Sequence, residues 1–195
     1  MCLLLGATAC GSGEQQAAPS SSSSASTTTS TTTTTTAAPA ATFNASANDV
    51  ITALNMQLPL IHEGAQQLPT TVQAGGIFGG RVSSDVEVFV KPQTSAFTKV
   101  HAVTVHVTGS GGAFRTPARL LSGVGTSLHQ LSPEAADRFR TDALPKLSSI
   151  TQTRTTMTIK GFYDLTAVVR DSSSLAFVFT PVGVTPLSSY DTLGK

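Results

Sequence analysis

Residues 48–185 predict an α+β domain: an antiparallel sheet of four to five strands, built from two hairpins, with helices packed on one face. Two observations carry this. Apolar residues alternate with period two over 85–91, 99–108 and 165–180, and over 50–58 and 120–147 they return at helical spacing. The order of the segments, helix, hairpin, helices, hairpin, reads as α+β.

The first helix starts where Ser46 or Asn48 caps it, and Val50, Ile51, Leu54 and Leu58 form its apolar stripe until Pro59 interrupts it. Leu60 to Leu68 extends it after a kink. Ala74 to Gly80 then breaks the period as a turn or bulge, and no Gly-Lys-Ser/Thr follows that would make it a phosphate loop. Val86, Val88 and Val90 fall on one side of the first strand, with Asp85, Glu87, Phe89 and Lys91 on the other. Lys99 to Thr108 returns antiparallel to it with Val103, Val105 and Val107 inward. Gly109 to Gly112 leads to a helix that Thr116 caps and Pro117 begins, striped by Leu120, Leu121, Val124 and Leu128. Phe114 stands where a dinucleotide fingerprint needs its third glycine, which excludes that motif. Ser132-Pro133-Glu134 opens a further helix whose face continues through Phe139, Ala143 and Leu147. Leu165, Ala167 and Val169 alternate in the second hairpin, Asp171 to Ser174 turns it, and Phe177 and Phe179 share a face of its return strand. Pro181 and Pro186 end regular structure, which leaves 186–195 as a C-terminal tail.

The chain has 195 residues, 39% apolar and only 12% charged, about half the charge of an ordinary soluble domain. Ser and Thr take the place of the missing charge. A formal net charge of +1 excludes an electrostatic case for nucleic acid, which needs a clustered basic face. No run approaches the roughly 20 apolar residues of a membrane-spanning helix.

The N-terminal ten residues carry the most specific signal. Leu3, Leu4 and Leu5 followed by Gly6-Ala7-Thr8-Ala9 and Cys10 read as the end of a signal peptide, residues 1–9, whose basic region lies upstream of the first Met. Ala7, Thr8 and Ala9 before Cys10 resemble the lipobox of bacterial lipoproteins, although Leu is more usual at the position of Ala7. The resemblance implies that Cys10 is the lipidation site, becoming a diacylated N-terminus after cleavage. Cys2 leaves with the leader, so no pair remains for a disulfide. Residues 10–47 form a tether of low complexity, dominated by Ser20 to Ser24 and Thr31 to Thr36, too polar and too short in side chain to offset the entropy of ordering. A flexible chain of about 37 residues spans on the order of 35 Å. Thr-rich runs flanked by Pro19 and Pro39 also look like O-glycosylated stalks. Lipobox, stalk and Ala/Thr/Val-rich domain together resemble cell-envelope lipoproteins of actinobacteria, including mycobacteria. That resemblance implies a cell-membrane lipoprotein held by acyl chains on the extracytoplasmic face.

Candidate chemistry in the domain is sparse. His101 and His106 share a strand at odd spacing, which puts them on opposite faces and excludes a shared metal in a regular strand. His101 lies with the valines. His106 lies with Thr104 and Thr108, where Glu87 or Asp85 across the hairpin would orient its imidazole. His62-Glu63 lacks the helical repeat of a zinc motif. His129 ends a helix, where its charged form would suit the dipole. No nucleophile elbow and no Ser-x-x-Lys set is present. The expectation is therefore no catalytic residue, no metal site and no cofactor, with the ligand-binding residues unassigned. Three readings follow: a non-catalytic binding or interaction domain with an envelope protein or lipid as partner; a carrier of an apolar ligand lined by Ile77, Phe78, Phe89, Phe97 and Phe114; or an envelope hydrolase assembled around His106.

Overall fold

The computed structural model describes residues 41–93, 98–109, 117–147, 150 and 153–194. Cys10, most of the tether, the cap at Thr116, Phe97 and Phe114 lie outside the described residues. The elements follow in the order α1 (Ala47–Ile61), β1 (Phe78–Arg81), β2 (Val86–Pro92), β3 (Val100–Thr108), α2 (Ala118–Ser127), α3 (Pro133–Arg138), a π-helical turn (Phe139–Ala143), α4 (Leu144–Leu147), β4 (Arg154–Ile159), β5 (Tyr163–Asp171), β6 (Ser174–Thr180) and a 3-10 helix (Ser188–Thr192).

The fold is α+β, with one antiparallel sheet of six strands in the order β1-β2-β3-β6-β5-β4. It is two meanders, β1-β2-β3 and β4-β5-β6, joined where β3 pairs with β6. The sequence suggested four to five strands, and both differences have physical causes. The glycine-rich segment read as a turn or bulge supplies β1, pairing Phe78 with Val90 and Arg81 with Glu87. Gly79 makes this possible: its φ is +105°, and a Cβ there would overlap the backbone carbonyl of Val88. The β-branched run from Thr153 to Arg170 is two strands, folded back at Lys160 to Phe162 with Gly161 at φ +82°.

One face of the sheet carries Val88, Val103, Val105, Leu165, Phe177 and Phe179, all buried with Val50, Ile51, Leu54 and Leu58 of α1, Leu120, Leu121 and Val124 of α2, and Leu128 just past its end in a single core. The predicted stripes are thus the buried ones. The helix ends differ. Pro59 ends α1 within its last turn instead of kinking it, because Pro59 has no N–H to give and His62 closes the helix on Leu58 O at 3.0 Å. Residues 62–68 leave as non-helical chain, and Asn55 clamps them, donating to Leu68 O at 2.9 Å and accepting from Leu68 N at 2.8 Å. Pro145 has a similar effect farther on: the turn before it widens, and the Leu144 N–H reaches back five residues to Phe139 O.

The domain extends past both expected boundaries. Upstream of residue 48, Phe43 and Ala45 are buried, and they bond the start of β3 where β6 has ended: Phe43 N–H donates to Val100 O at 2.8 Å and Val100 N–H to Ala45 O at 2.9 Å. Downstream, the residues expected to be a tail cross the second face of the sheet as a strap. Tyr190 is buried against Ala102 and Val178. Thr104 Oγ1 donates to Tyr190 O at 2.8 Å, Thr180 Oγ1 to Val184 O at 2.9 Å, and Gly183 N–H to Asp164 Oδ2 at 2.7 Å. Arg154 pairs with Asp191 at the edge. The hydroxyls of Thr104 and Thr180 are thus the donors that hold this part of the chain to the sheet.

Candidate functional site

α1 and α2 run antiparallel and touch at Gly123, where a Cβ would overlap Ile61 Cδ1. Gln57 bridges the crossing, donating to Ser127 Oγ at 2.9 Å while Thr126 Oγ1 donates to Gln57 Oε1 at 3.2 Å. Next to this contact, the first half of α1 faces the end of α2 across a groove of about 450 Å3. It is lined by Ala45, Asp49, Thr52, Ala53, Met56, Ser127, Gln130 and Leu131. The start of α1 carries a capping box. Ser46 and Asp49 cap it reciprocally, Asp49 N–H to Ser46 Oγ at 3.1 Å and Ser46 N–H to Asp49 Oδ2 at 3.3 Å.

The opposite wall is a backbone device. α2 stops with two consecutive left-handed residues that are not glycine, Gln130 at φ +54° and Leu131 at φ +63°. Such residues cost of order 1–3 kcal/mol each and persist where surrounding structure holds them. Here the Leu131 N–H bonds Thr126 O at 2.8 Å and the Ser132 N–H bonds His129 O at 3.1 Å. His129 holds the turn from inside. Its ring lies edge-on to Phe43 at 5.9 Å and Phe162 at 5.0 Å, and stacks on Tyr163 at 6.0 Å. Burial pushes its pKa below the ordinary histidine value, outweighing a backbone hydrogen bond to Phe162. Burial thus disfavours the charged form that its position at a helix end suggested. A second depression of about 310 Å3, with Asn44, His129, Gln130 and Phe162 on its walls, adjoins the first at Gln130.

The sign of the pH effect follows. Unfolded, His129 takes its proton near pH 6.5; folded, it resists until lower pH. The unfolded state therefore binds more protons in that window, and His129 makes stability fall as pH drops below about 6.5. Urea titrations across this range should show the loss, and a His129→Phe chain, keeping the aromatic packing, should show less of it. An equal loss in both chains would exclude His129 as its source.

The remaining histidines are placed as follows. His101 and His106 do not lie apart as regular alternation predicts. Lys91 pairs with Ala102 and Pro92 with Val100, so His101 is the extra residue of a β-bulge. The bulge turns His101 away from the valines: its ring meets Tyr190 at 5.6 Å and its Nδ1 lies 3.0 Å from Ala41 O. His106 is 2% exposed beneath the same strap, with Nε2 3.0 Å from Leu193 O. Glu87 stands opposite His106 in register, as the hairpin suggested, while its carboxylate lies 3.6 Å from Arg81. His62 caps the end of α1. Asp85 accepts from Ser83 Oγ at 2.7 Å, and this bond holds its carboxyl below the usual range. No group of three or more His, Cys, Asp or Glu stands together for a metal among the described residues.

No family model, curated protein or solved structure matches this chain. The arrangement of its own residues therefore carries the functional argument. The phenylalanines grouped as a carrier lining do not share a cavity where they are described. Phe78 belongs to the core under the helices, whereas Phe89 is on the opposite face beneath Gly194 and 5.9 Å from the His106 ring. Ile77 lines a shallow pocket with Lys91, Leu193 and Gly194. The groove between α1 and the Gln130–Leu131 turn was not singled out in the sequence. One signal was there: Met56 and Leu60 fall on the side of α1 opposite the Val50/Leu54/Leu58 stripe, at 100° per residue.

Proposed function

We propose that this chain is a membrane-anchored lipoprotein of the cell envelope, acylated at Cys10, whose tethered α+β domain acts by binding and not by catalysis. The observation that favours binding is the groove itself. Ala45, Ala53, Met56 and Leu131 give it an apolar lining, interspersed with Thr52, Ser127 and Gln130 and with Asp49 as its one ionisable wall residue. Depressions that combine apolar side chains with a few polar groups suit recognition. The histidine best placed by sequence for base chemistry, His106, is 2% exposed and lies under the strap, its Nε2 3.0 Å from Leu193 O. A core filled on the helical side by the residues of α1, α2, β3 and β6 favours a surface-binding domain over an internal carrier.

Anchoring would operate without a spanning helix; none of the described helices is long and apolar enough to cross a membrane. Each methylene of an attached acyl chain contributes about 0.8 kcal/mol on burial, so two or more chains hold a protein stably at a bilayer. Growth of an expressing actinobacterium with an alkyne-bearing palmitate analogue should label the wild-type chain and leave a Cys10→Ser chain unlabelled and released from the membrane fraction. Equal labelling, or none in either, would overturn the anchor.

A further inference from the structure

His129 is held where an added proton finds no acceptor. Its ring is enclosed by Phe43, Phe162 and Tyr163, and a backbone hydrogen bond ties it to Phe162. Its Nε2 is buried and has no hydrogen-bond partner among the described residues. Protonation turns that nitrogen into an N–H donor and places a charge among aromatic rings. The groups packed round the ring supply no counter-charge. Phe43 and Phe162 do not titrate, burial keeps the Tyr163 phenol protonated, and no charged side chain is among the influences on the imidazole.

A second position for the ring lies next to the first. His129 also borders the depression of about 310 Å3, where Asn44, Gln130 and Ser132 contribute polar side chains. This space is ample for several waters, so it offers the acceptors that the enclosed position lacks. Gln130 lines this depression and the groove alike. With Leu131 it forms the left-handed pair, a backbone state that such residues keep only while their surroundings impose it. His129 stands immediately before the pair. Its carbonyl accepts from the Ser132 N–H on the far side of it, and its ring packs the turn on Tyr163 of β5.

We propose that His129 is a proton-operated latch on the groove. Neutral and enclosed, it keeps Gln130 and Leu131 in the groove wall; protonated, it swings into the adjoining depression and lets the turn relax out of the left-handed region, which removes that wall. The functional consequence rests on the binding role proposed above, whereas the movement itself needs no ligand. Its direction follows from linkage. A ring in the depression takes its proton near the ordinary histidine value of about 6.5, and the enclosed ring only at lower pH. Each pH unit below about 6.5 therefore favours the open turn by up to about tenfold. The groove is a surface of neutral pH that acid dismantles.

An NMR titration of the full chain from about pH 7.5 to about pH 5, the range in which histidine changes charge, tests the latch. The His129 ring, the Gln130 amide and the Leu131 methyls are followed together. Expected are Gln130 and Leu131 shifts that share the His129 midpoint, while the core methyls of Val105 and Leu165 stay in place. His129→Phe keeps an aromatic ring but takes no proton, and should hold Leu131 at its neutral-pH position throughout. Asp49→Asn, altered at the exposed carboxylate of the other groove wall, should leave the midpoint unchanged. The proposal is overturned if His129 titrates while Leu131 stays still, or if His129 does not titrate in this range. A Leu131 shift that persists in His129→Phe, or vanishes in Asp49→Asn, overturns it as well, and so does loss of the Val105 and Leu165 signals together with Leu131, which is unfolding. Should His129→Phe fail to fold, the shared midpoint in wild type and in Asp49→Asn decides alone. No ligand enters the measurement, so its result is separate from whether the groove binds one.

Discussion

Replacing Gly125 with alanine is expected to destabilise the domain by about 3 kcal/mol, the upper end for forcing one extra methyl into a packed core. The reason is one contact. A Cβ on Gly125 would sit within overlap distance of the Tyr163 hydroxyl and only 2.6 Å from its Cζ, and Tyr163 is fully buried at the start of β5 between α2 and the sheet. The ring has nowhere to go, with His129 stacked on one side and Phe179 at 5.2 Å. The same hydroxyl has no hydrogen-bond partner among the described residues, and burial pushes its pKa well above that of ordinary tyrosine. A buried donor left unpaired costs about 1–3 kcal/mol, so Tyr163→Phe alone should be neutral or stabilising. In the double variant the nearest clashing atom is gone but Cζ remains. The pair should therefore be less destabilised than the sum of the singles, by roughly 1 kcal/mol. Urea unfolding of the four chains measures all three quantities. Strict additivity, or a Tyr163→Phe chain clearly less stable than wild type, would show that the helix and strand do not meet as described.

Tyr190→Ala carries the second large effect, about 3 kcal/mol, comparable to truncating other buried aromatics. For a domain of this size that is a drop of about 6–12 °C in Tm. Tyr190 contributes more than its own burial. Its ring covers Ala102 and Val178 and meets His101, and its carbonyl takes the Thr104 hydroxyl. Losing the ring loosens the strap whose far end places Leu193 O at His106 and Gly194 over the Phe89 ring. The partner Asp191–Arg154 contact at 2.5 Å lies at the partly exposed edge of the sheet, where such pairs contribute about 0–1 kcal/mol, so it cannot hold the strap in place of Tyr190. Differential scanning calorimetry would measure the shift. A change of only a degree or two would mean that 186–195 is, after all, a tail.

The two predictions also mark where sequence reading reached and where it stopped. Period-two valines and period-3.6 leucines depend on local geometry alone, so Val86/Val88/Val90, Val103/Val105/Val107 and the stripes of α1 and α2 were readable with their correct inward faces. β1 was not, because a Phe-Gly-Gly-Arg strand has almost no side-chain pattern to display, and its pairing is decided by how closely the Val88 carbonyl approaches Gly79. The bulge at His101 was invisible for a similar reason: it is set by the partner strand and by residues 41–45, which are far away in sequence. The strap was hidden in part because Thr104 holds it by a hydroxyl bond to the Tyr190 carbonyl, and a threonine that holds a segment looks the same on paper as one that faces water. Of the candidate site, only the misplaced Met56 and Leu60 could have been noticed. The left-handed pair at Gln130 and Leu131 has no glycine or asparagine to announce it.

The seam between the two meanders has a consequence for how the chain is assembled. Val103 meets Phe179, a closure over roughly 75 residues that nothing local encourages, whereas each three-stranded half is made of near neighbours. A polypeptide synthesised from its N-terminus therefore presents β3 as a bare border, rich in valine, until the last strand has been made. The order of manufacture leaves the middle of the sheet for last, and the molecule is most vulnerable to its neighbours just before it is finished.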